Sequence, residues 1–305
     1  MGNFRDSPPR VGISFSGVGG PLKAPRKIFF RRLSDVICSD ILGMPWYLVP
    51  THTYDPPTAC IYCGDQTGPL GDEHIIPRNM GGRLVIKNAS CKTCEKIINS
   101  QIETPIANMM GSYRRRSIPA RNRDKKRRPL STTIRIYDEA GQITDHPASA
   151  DEMPRVLYIP ALPPPTLLDP KARDIAPEMW TMAHREDLKR AKEKFGGVAH
   201  VAGRYDLDRF YRQLAKIAHS YVVAEAISLE GYELLLPNYI LTGQGDARNF
   251  IGGELIQPKS EKFLYRISSI KHAVGQIEYL IALFRLFAHT RAPFYQVIVA
   301  RKPIT

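Results

Sequence analysis

The sequence predicts an α+β fold, with a small cysteine-bearing segment and a larger C-terminal α+β domain that contains antiparallel strands. Two C-x-x-C pairs lie within residues 60–104, an amphipathic helical pattern follows Asp206, and the C-terminal part has three runs rich in Ile, Leu, Val, Phe and Tyr. Separate helical and strand-rich regions are typical of this class. With 305 residues, 43% of them hydrophobic, the chain is long enough to bury a core in one large or two ordinary domains.

The two cysteine pairs, Cys60 with Cys63 and Cys91 with Cys94, have 27 residues between them. Four thiolates on two short turns can surround one tetrahedral Zn²⁺, and such a closed site has a structural rather than a catalytic role. Two disulfides or four buried free thiols are the alternatives. We recognise no secretory segment, which favours the metal and predicts a cytosolic location, where thiols stay reduced.

Between the cysteine pairs, the pattern predicts a strand, a turn, a second strand and a helix. Residues 74–76 form a short apolar run that ends at Pro77, and two glycines at 81–82 provide the turn. Residues 83–86 alternate as a strand. From Lys92 the apolar residues recur with helical spacing, and the helix is predicted to end at Pro105.

Polar residues of this helix recur every fourth position, at Glu95, Asn99 and Glu103, so they share one helical face. That face could turn toward the strand that carries Glu73 and His74. Carboxylate and amide oxygens suit one hard divalent cation, which leaves the imidazole as a base. The alternative interpretation is a solvated helix face and a structural histidine.

This segment resembles the zinc-stapled branch of the HNH endonuclease family, whose core is a ββα-metal finger. The resemblance covers about 45 residues and rests on several short motifs in order. These are Glu73-His74-Ile75-Ile76-Pro77, Gly81-Gly82, Asn88 and Cys91-x-x-Cys94. It implies that His74 deprotonates the attacking water, that Glu73 binds the catalytic cation, with Asp72 as its possible substitute, and that Asn88 braces the loop and orients the histidine.

The sequence departs from the family pattern directly after the second cysteine pair. The family commonly has His or Asn there, and this chain has Glu95. A carboxylate can bind Mg²⁺ or Mn²⁺ through oxygen, and Asn99 one turn later is a second candidate. The predicted ligands of the catalytic cation are therefore Glu73, Glu95 and Asn99. The resemblance implies phosphodiester hydrolysis with 3′-hydroxyl and 5′-phosphate products.

Positive charge is concentrated between residues 114 and 128. This stretch has nine basic residues and one acidic residue, a net charge of +8, out of +13 for the whole chain. It predicts a nucleic-acid contact rather than a membrane partner, because a basic arm neutralises backbone phosphates. The resemblance to HNH endonucleases favours DNA over RNA. A solvated run or a localisation tag is the alternative. The predicted contact residues are Arg114, Arg115, Arg116, Arg121, Arg123, Lys125, Lys126, Arg127 and Arg128.

The composition divides the chain into four regions. Residues 1–25 are rich in Gly, Pro and Ser and predict a disordered arm, and residues 26–110 predict an N-terminal helix followed by the HNH-like core at 60–104. Residues 111–129 are a basic arm or linker. Residues 130–305 predict the C-terminal α+β domain, to which no role is assigned.

Within the C-terminal region, two helices and three antiparallel strands are predicted. The helices span 177–195 and 207–227, the second with Asp206 as its N-cap and with Arg209, Arg212 and Lys216 facing away from the core. The strands are predicted at 263–270, 277–287 and 294–300.

Two functions of different classes follow from these patterns. The first is an HNH-type metal-dependent endonuclease that acts on DNA. The second is a zinc-stapled nucleic-acid-binding protein that has lost cleavage, which the absence of His or Asn at Glu95 favours. A thiol redox protein is a third interpretation, and it would require an exposed thiolate with a low pKa. No protein partner is indicated.

Overall fold

The structure is a computed structural model. It describes residues 36–38, 48–110, 113, 117–118, 132–137, 142–149, 152–196, 198–200, 205–225 and 229–304. The predicted arm at 1–25 and all nine basic residues of the run at 114–128 lie outside the described residues. In the described part of the chain, no helix is both long and apolar enough to cross a membrane.

The described residues form a mixed α+β protein with antiparallel sheets, which confirms the predicted fold class. The strands, in chain order, are β1 (Val36–Cys38), β2 (Thr51–Tyr54), β3 (Leu70–His74), β4 (Arg83–Cys91), β5 (Thr132–Tyr137), β6 (Ile143–Ala148), β7 (Val156–Ala161), β8 (Glu178–Ala183), β9 (Val198–His200), β10 (Glu233–Leu234), β11 (Ile251–Gly253), β12 (Tyr265–Val274), β13 (Ile277–Leu286) and β14 (Tyr295–Pro303). The α-helices are α1 (Lys92–Ile98), α2 (Thr104–Met109), α3 (Arg185–Phe195), α4 (Leu207–Ala224), α5 (Pro237–Thr242) and α6 (Ala247–Phe250).

The chain divides into two compact units. The smaller unit comprises residues 1–44, 109–159 and 179–205, and the larger unit comprises residues 45–108, 160–178 and 206–305. This division differs from the predicted one, because the cysteine-bearing segment shares its unit with the C-terminal strands and helix α4. Contacts between elements distant in the sequence, which composition does not show, hold the larger unit together.

The smaller unit contains the sheet β6-β5-β9, in which β5 pairs with both neighbours in antiparallel fashion. In another sheet, of order β1-β8-β7, β1 pairs in parallel with β8. Val36–Cys38 is therefore a strand, although the N-terminal helix was predicted over residues 27–42. The helix predicted at 177–195 starts only at Arg185. The apolar residues of β8 lie in a central strand, and a short, mostly apolar run of that kind has no period that separates it from a buried helix.

The larger unit is built on the antiparallel strands β12, β13 and β14, which confirms the three predicted C-terminal strands. Helix α4 packs on this sheet, where Phe210 meets the ring of Tyr295 edge-on at a centroid distance of 5.6 Å. The Asp206 side chain accepts a hydrogen bond from the backbone N–H of Arg209 at 3.0 Å, as expected for the predicted N-cap. Helix α4 ends at Ala224, three residues before the predicted end.

The cysteine-bearing segment of the larger unit forms the sheet β2-β4-β3, followed by α1, a π-helical turn (Asn99–Glu103) and α2. The predicted turn between the strands has Gly81 at φ +86°, and a Cβ on Gly82 would lie 1.7 Å from the Ile76 carbonyl oxygen, so only glycine fits there. The helix begins at Lys92 as predicted. It does not end at Pro105, because Pro105 lies in the first turn of α2, where proline is tolerated.

Candidate active site

The four predicted cysteines form one cluster in the structure. The sulfur atoms of Cys60, Cys63, Cys91 and Cys94 all lie within 4.8 Å of one another. The Sγ atoms of Cys63 and Cys91 are 3.7 Å apart. A tetrahedron with Zn–S bonds of about 2.3 Å has edges of about 3.8 Å, so the spacing fits a structural Zn²⁺. No disulfide links any of the four.

The electrostatics of the cluster also favour a cation. Burial raises the pKa of Cys94, and hydrogen bonds with Cys63 and Cys91 raise it further. Burial also acts to raise the pKa of Cys60, but hydrogen bonds from backbone N–H groups outweigh it and lower the pKa overall. The N–H of Cys91 donates to Cys60 Sγ at 3.4 Å. Sulfurs this close become thiolates together only with a positive ion between them, and a bound Zn²⁺ supplies that charge.

The predicted base, His74, is the last residue of β3, opposite Val85 of β4. Its side chain is half-buried, and its backbone continues into Ile75 and Ile76, which are both fully buried. The apolar residues after His74 therefore anchor the end of the strand in the core. This arrangement keeps the imidazole at the boundary between core and surface.

Glu73 lies on the buried side of β3, with 6% of its surface exposed. Its carboxylate is 2.5 Å from the ammonium of Lys216 on α4, and Glu103 of the π-helical turn lies 3.1 Å from the same ammonium. The Lys216 side chain is completely buried. Its Nζ also donates to the backbone carbonyl oxygen of His74, and to that of Ile75 at 3.3 Å.

The charges of this ion cluster are coupled. Burial raises the pKa of Glu73, and the positive charge of Lys216 only partly offsets that effect. Burial lowers the pKa of Lys216, but the negative charges of Glu73 and Glu103 outweigh it, so the pKa of Lys216 is raised. Lys216 therefore stays positively charged, and it contacts β3, the strand that carries His74.

The same face of α4 also supports the first cysteine pair. His219 Nε2 donates to the carbonyl oxygen of Ile61 at 2.6 Å, and the hydroxyls of Ser220 and Tyr62 hydrogen-bond at 2.9 Å. Ile61 and Tyr62 lie between Cys60 and Cys63 in the sequence. One face of α4 thus contacts both the turn between Cys60 and Cys63, through His219 and Ser220, and β3, through Lys216.

Asp72 and Asn88 meet on the opposite side of β3. The N–H of Asn88 donates to Asp72 Oδ1 at 3.3 Å, and Lys87 forms an ion pair with Asp72 at 2.7 Å. Asn88 has a φ of +46°, a left-handed conformation in which asparagine is enriched, and the register of β3 and β4 shifts beside it. The structure thus places Asn88 at an irregularity of β4, where its backbone contacts Asp72.

Two of the three polar residues on the helix face predicted to carry ligands, Glu95 and Glu103, lie near β3 or near its partner Lys216. Glu95 Oε2 would lie 3.8 Å from a Cβ built on Gly71, and Glu103 reaches β3 through Lys216. Glu95 and Asn99 are both exposed. Carboxylate and amide oxygens match the preferences of Mg²⁺ or Mn²⁺ in donor chemistry.

The two predicted acidic ligands, Glu73 and Glu95, are not part of a group of three or more His, Cys, Asp or Glu ligand atoms in the described residues. Among the described residues, only the four cysteines form a group of three or more His, Cys, Asp or Glu ligand atoms within 4.8 Å of one another. Glu73 contacts Lys216, whereas Glu95 lies beside Gly71. The assignment of Glu73, Glu95 and Asn99 to a catalytic cation stays a prediction.

The cysteine-bearing segment was compared with models of known protein families. Residues 60–110 match the family model described as HNH endonuclease. The match confirms the resemblance predicted from the sequence, and it contains the cysteine cluster, β3, β4, α1 and the π-helical turn. Comparisons with curated proteins and with solved structures gave no match. We refer to residues 60–110 as the HNH segment.

The sequence pattern missed the contribution of α4 to the HNH segment. Arg212 and Lys216 were predicted to face away from the core, and that prediction is wrong, because both are buried. Arg212 donates to the carbonyl oxygens of Ile240 and Leu241 at the end of α5 and to the Gln101 side chain. A sequence signal was present in Lys216, His219 and Ser220, whose i, i+3 and i+4 spacing places three polar side chains on one face of the helix.

Proposed function

We propose that the HNH segment is the catalytic centre of a metal-dependent endonuclease that hydrolyses phosphodiester bonds in DNA. The match of residues 60–110 to the HNH endonuclease family model carries this proposal. The placement of His74 at the end of β3, in a segment held by four clustered cysteines, supports it. The cluster would hold a structural Zn²⁺, which stabilises the fold rather than taking part in the reaction.

His74 would act as the general base. Its imidazole would accept a proton from a water molecule as the water oxygen attacks the phosphorus atom, and the bond between phosphorus and the 3′ oxygen would break. The departing oxygen would take a proton from solvent, which leaves a 3′-hydroxyl and a 5′-phosphate. Anchoring of Ile75 and Ile76 in the core would keep the imidazole in one position through this step.

Exposed oxygen donors near β3 would hold the divalent cation. Glu95, beside Gly71, and Asn99, one helical turn later, offer a carboxylate and an amide oxygen to Mg²⁺ or Mn²⁺. The third predicted donor, Glu73, is buried and paired with Lys216. Such a cation would stabilise the negative charge that develops on the scissile phosphate and on the leaving oxygen.

The substrate class follows from charge as well as from the family match. The net charge of +13 favours a polyanion, and the basic residues between 114 and 128 would neutralise phosphates of DNA. Four reduced cysteines in one cluster support a cytoplasmic location in this proposal.

The proposal is tested with the full chain, supercoiled plasmid and RNA of equal length. We expect nicking of the plasmid with Mg²⁺ or Mn²⁺, none with chelator, and ends that polynucleotide kinase labels only after phosphatase treatment. A protein that contains zinc and binds DNA but cleaves neither substrate would favour the second candidate function, a nucleic-acid-binding protein without cleavage. The exposed Glu95 after the second cysteine pair favours that candidate.

A further inference from the structure

A positively charged side chain of the protein itself, that of Lys216, contacts β3, the strand that carries the predicted base. Lys216 comes from α4, far from the HNH segment in the sequence, and no part of its side chain is exposed. Four oxygens accept its three N–H groups: one carboxylate oxygen each from Glu73 and Glu103, and the backbone carbonyls of His74 and Ile75. A buried charge with this many partners is held in one place.

Two of these contacts constrain the backbone around His74. The ammonium binds the carbonyl of His74 itself and the carbonyl of the next residue, Ile75. It therefore fixes the peptide planes on the C-terminal side of His74, and with them the direction of the Cα–Cβ bond that carries the imidazole. The other two contacts give Glu73 and Glu103 a cationic partner without any metal ion.

We propose that Lys216 is a positioning residue of the nuclease reaction. It fixes the backbone that presents the His74 imidazole, and it holds Glu73 in an internal ion cluster, so that Glu73 is not a ligand of the catalytic cation. The inference rests on the proposed function, because positioning has a catalytic meaning only if His74 is the base.

The structure also contains a matched control. Arg285 of β13 is buried in the same unit, forms an ion pair with Glu261 at 2.6 Å, and donates to the backbone carbonyls of Thr290 and Ala292 at 3.1 Å each. It is thus a buried cation with one carboxylate partner and with hydrogen bonds to a loop, and its ion pair and these hydrogen bonds lie outside the HNH segment. Arg285→Met measures what the loss of a buried cation does to the unit in general.

The experiment compares steady-state cleavage by wild type, Lys216→Met, Glu73→Gln and Arg285→Met. We expect Lys216→Met to lower kcat by about 10- to 100-fold, because small displacements of a catalytic group cost that much. KM and the Mg²⁺ concentration at half-maximal rate should stay within about twofold of wild type. Glu73→Gln should also leave the Mg²⁺ requirement unchanged, and folded Arg285→Met should keep its kcat.

A triple variant keeps the test valid if Lys216→Met does not fold. Lys216→Met/Glu73→Gln/Glu103→Gln removes the buried charges together, so no uncompensated buried charge is left, which is the main cost of removing one partner alone. Its zinc content should equal that of wild type, and its kcat should be reduced. A triple variant with wild-type kcat would overturn the proposal, and so would a Glu73→Gln variant that needs about tenfold more Mg²⁺.

Hydrogen exchange separates failure of this inference from failure of the proposed function. In the triple variant, amides of residues 70–76 should exchange faster than in wild type, whereas Arg285→Met should affect residues 285–293. If wild type cleaves nothing, the proposed function is wrong, and exchange alone then tests whether Lys216 holds the strand. Unchanged exchange at 70–76 would overturn the positioning role.

Discussion

The Lys216 ammonium lies 2.5 Å from the Glu73 carboxylate, and the two side chains are 0% and 7% exposed. The pair joins the HNH segment to helix α4, which itself packs on the C-terminal sheet. Burial has removed the hydration of both charges, so each side chain needs the opposite charge of the other to compensate for that loss. The HNH segment is therefore not an independent finger in this protein, and the C-terminal elements of the larger unit form part of its support.

Replacement of one cysteine tests the structural metal. Cys91→Ser should abolish stoichiometric Zn²⁺ binding and unfold the HNH segment, because a structural zinc site contributes its binding energy to folding. Metal content by mass spectrometry and thermal unfolding would show both effects. Ser90→Ala is the control at the neighbouring buried position. A Cys91→Ser protein with wild-type zinc content and the wild-type Tm would contradict the structural role.

Two helix substitutions distinguish the candidate ligands of the divalent cation. Glu95 lies beside Gly71 at the start of β3, so Glu95→Gln should raise the Mg²⁺ concentration for half-maximal cleavage more than Asn99→Ala does. Loss of a carboxylate ligand weakens the binding of a hard cation more than loss of an amide ligand does. We expect Glu95→Gln to raise the Mg²⁺ concentration for half-maximal cleavage about tenfold. Metal titrations of the cleavage rate measure it. The reverse ranking would move the role to Asn99.

Two buried histidines predict how stability depends on pH. Burial lowers the pKa of His219 and of His289 to about 4, below the ordinary value of 6.5. Between these values the unfolded chain binds more protons, so the free energy of unfolding falls as the pH is lowered from about 6.5 toward 4. Each histidine should account for about 2 kcal/mol of the loss at pH 5.

Urea unfolding at pH 7.5 and pH 5 measures this loss, and His289→Gln serves as the variant because His289 is remote in sequence from the cysteine pairs. The variant should lose about 2 kcal/mol less than wild type between the two pH values. Equal losses would mean that His289 does not carry the effect.

Neutralisation of the basic run tests the proposed DNA contact. Substitution of Arg114, Arg115 and Arg116 by Gln should weaken DNA binding and make log Kd depend less steeply on log salt, because fewer counterions are released. Three lost phosphate contacts change that slope by about 2.7. Lys189→Gln, Arg190→Gln and Lys192→Gln together form a control of equal charge on α3. An unchanged slope would place the contact elsewhere.

Local patterns predicted much of the HNH segment. Cysteine spacing indicated the cluster, the glycine pair indicated the turn, and helical periodicity placed the start of α1 at Lys92. The Asp206 cap and the apolar stripe predicted α4, and β-rich runs predicted the C-terminal strands. These features succeed because residues close in sequence determine them.

Long-range pairing explains what the sequence did not predict. Lys216 and His74 are 142 positions apart. The periodicity of the sequence does not indicate that this lysine of α4 contacts the buried Glu73. Charged side chains are seldom buried without a partner, so the partner must be known before the burial can be predicted. Strand β8 was missed for a related reason, because its partners β1 and β7 lie elsewhere in the chain.

The central claim is that His74 is the base of a nuclease, and cleavage of supercoiled plasmid by His74→Ala tests it most directly. His52, an exposed residue of β2, provides the control variant His52→Ala. We predict that His74→Ala loses about 10²- to 10⁴-fold in kcat, as for removal of a general base, with unchanged zinc content and DNA affinity, while His52→Ala cleaves like wild type. Cleavage by folded, zinc-containing His74→Ala at the wild-type rate would contradict the account.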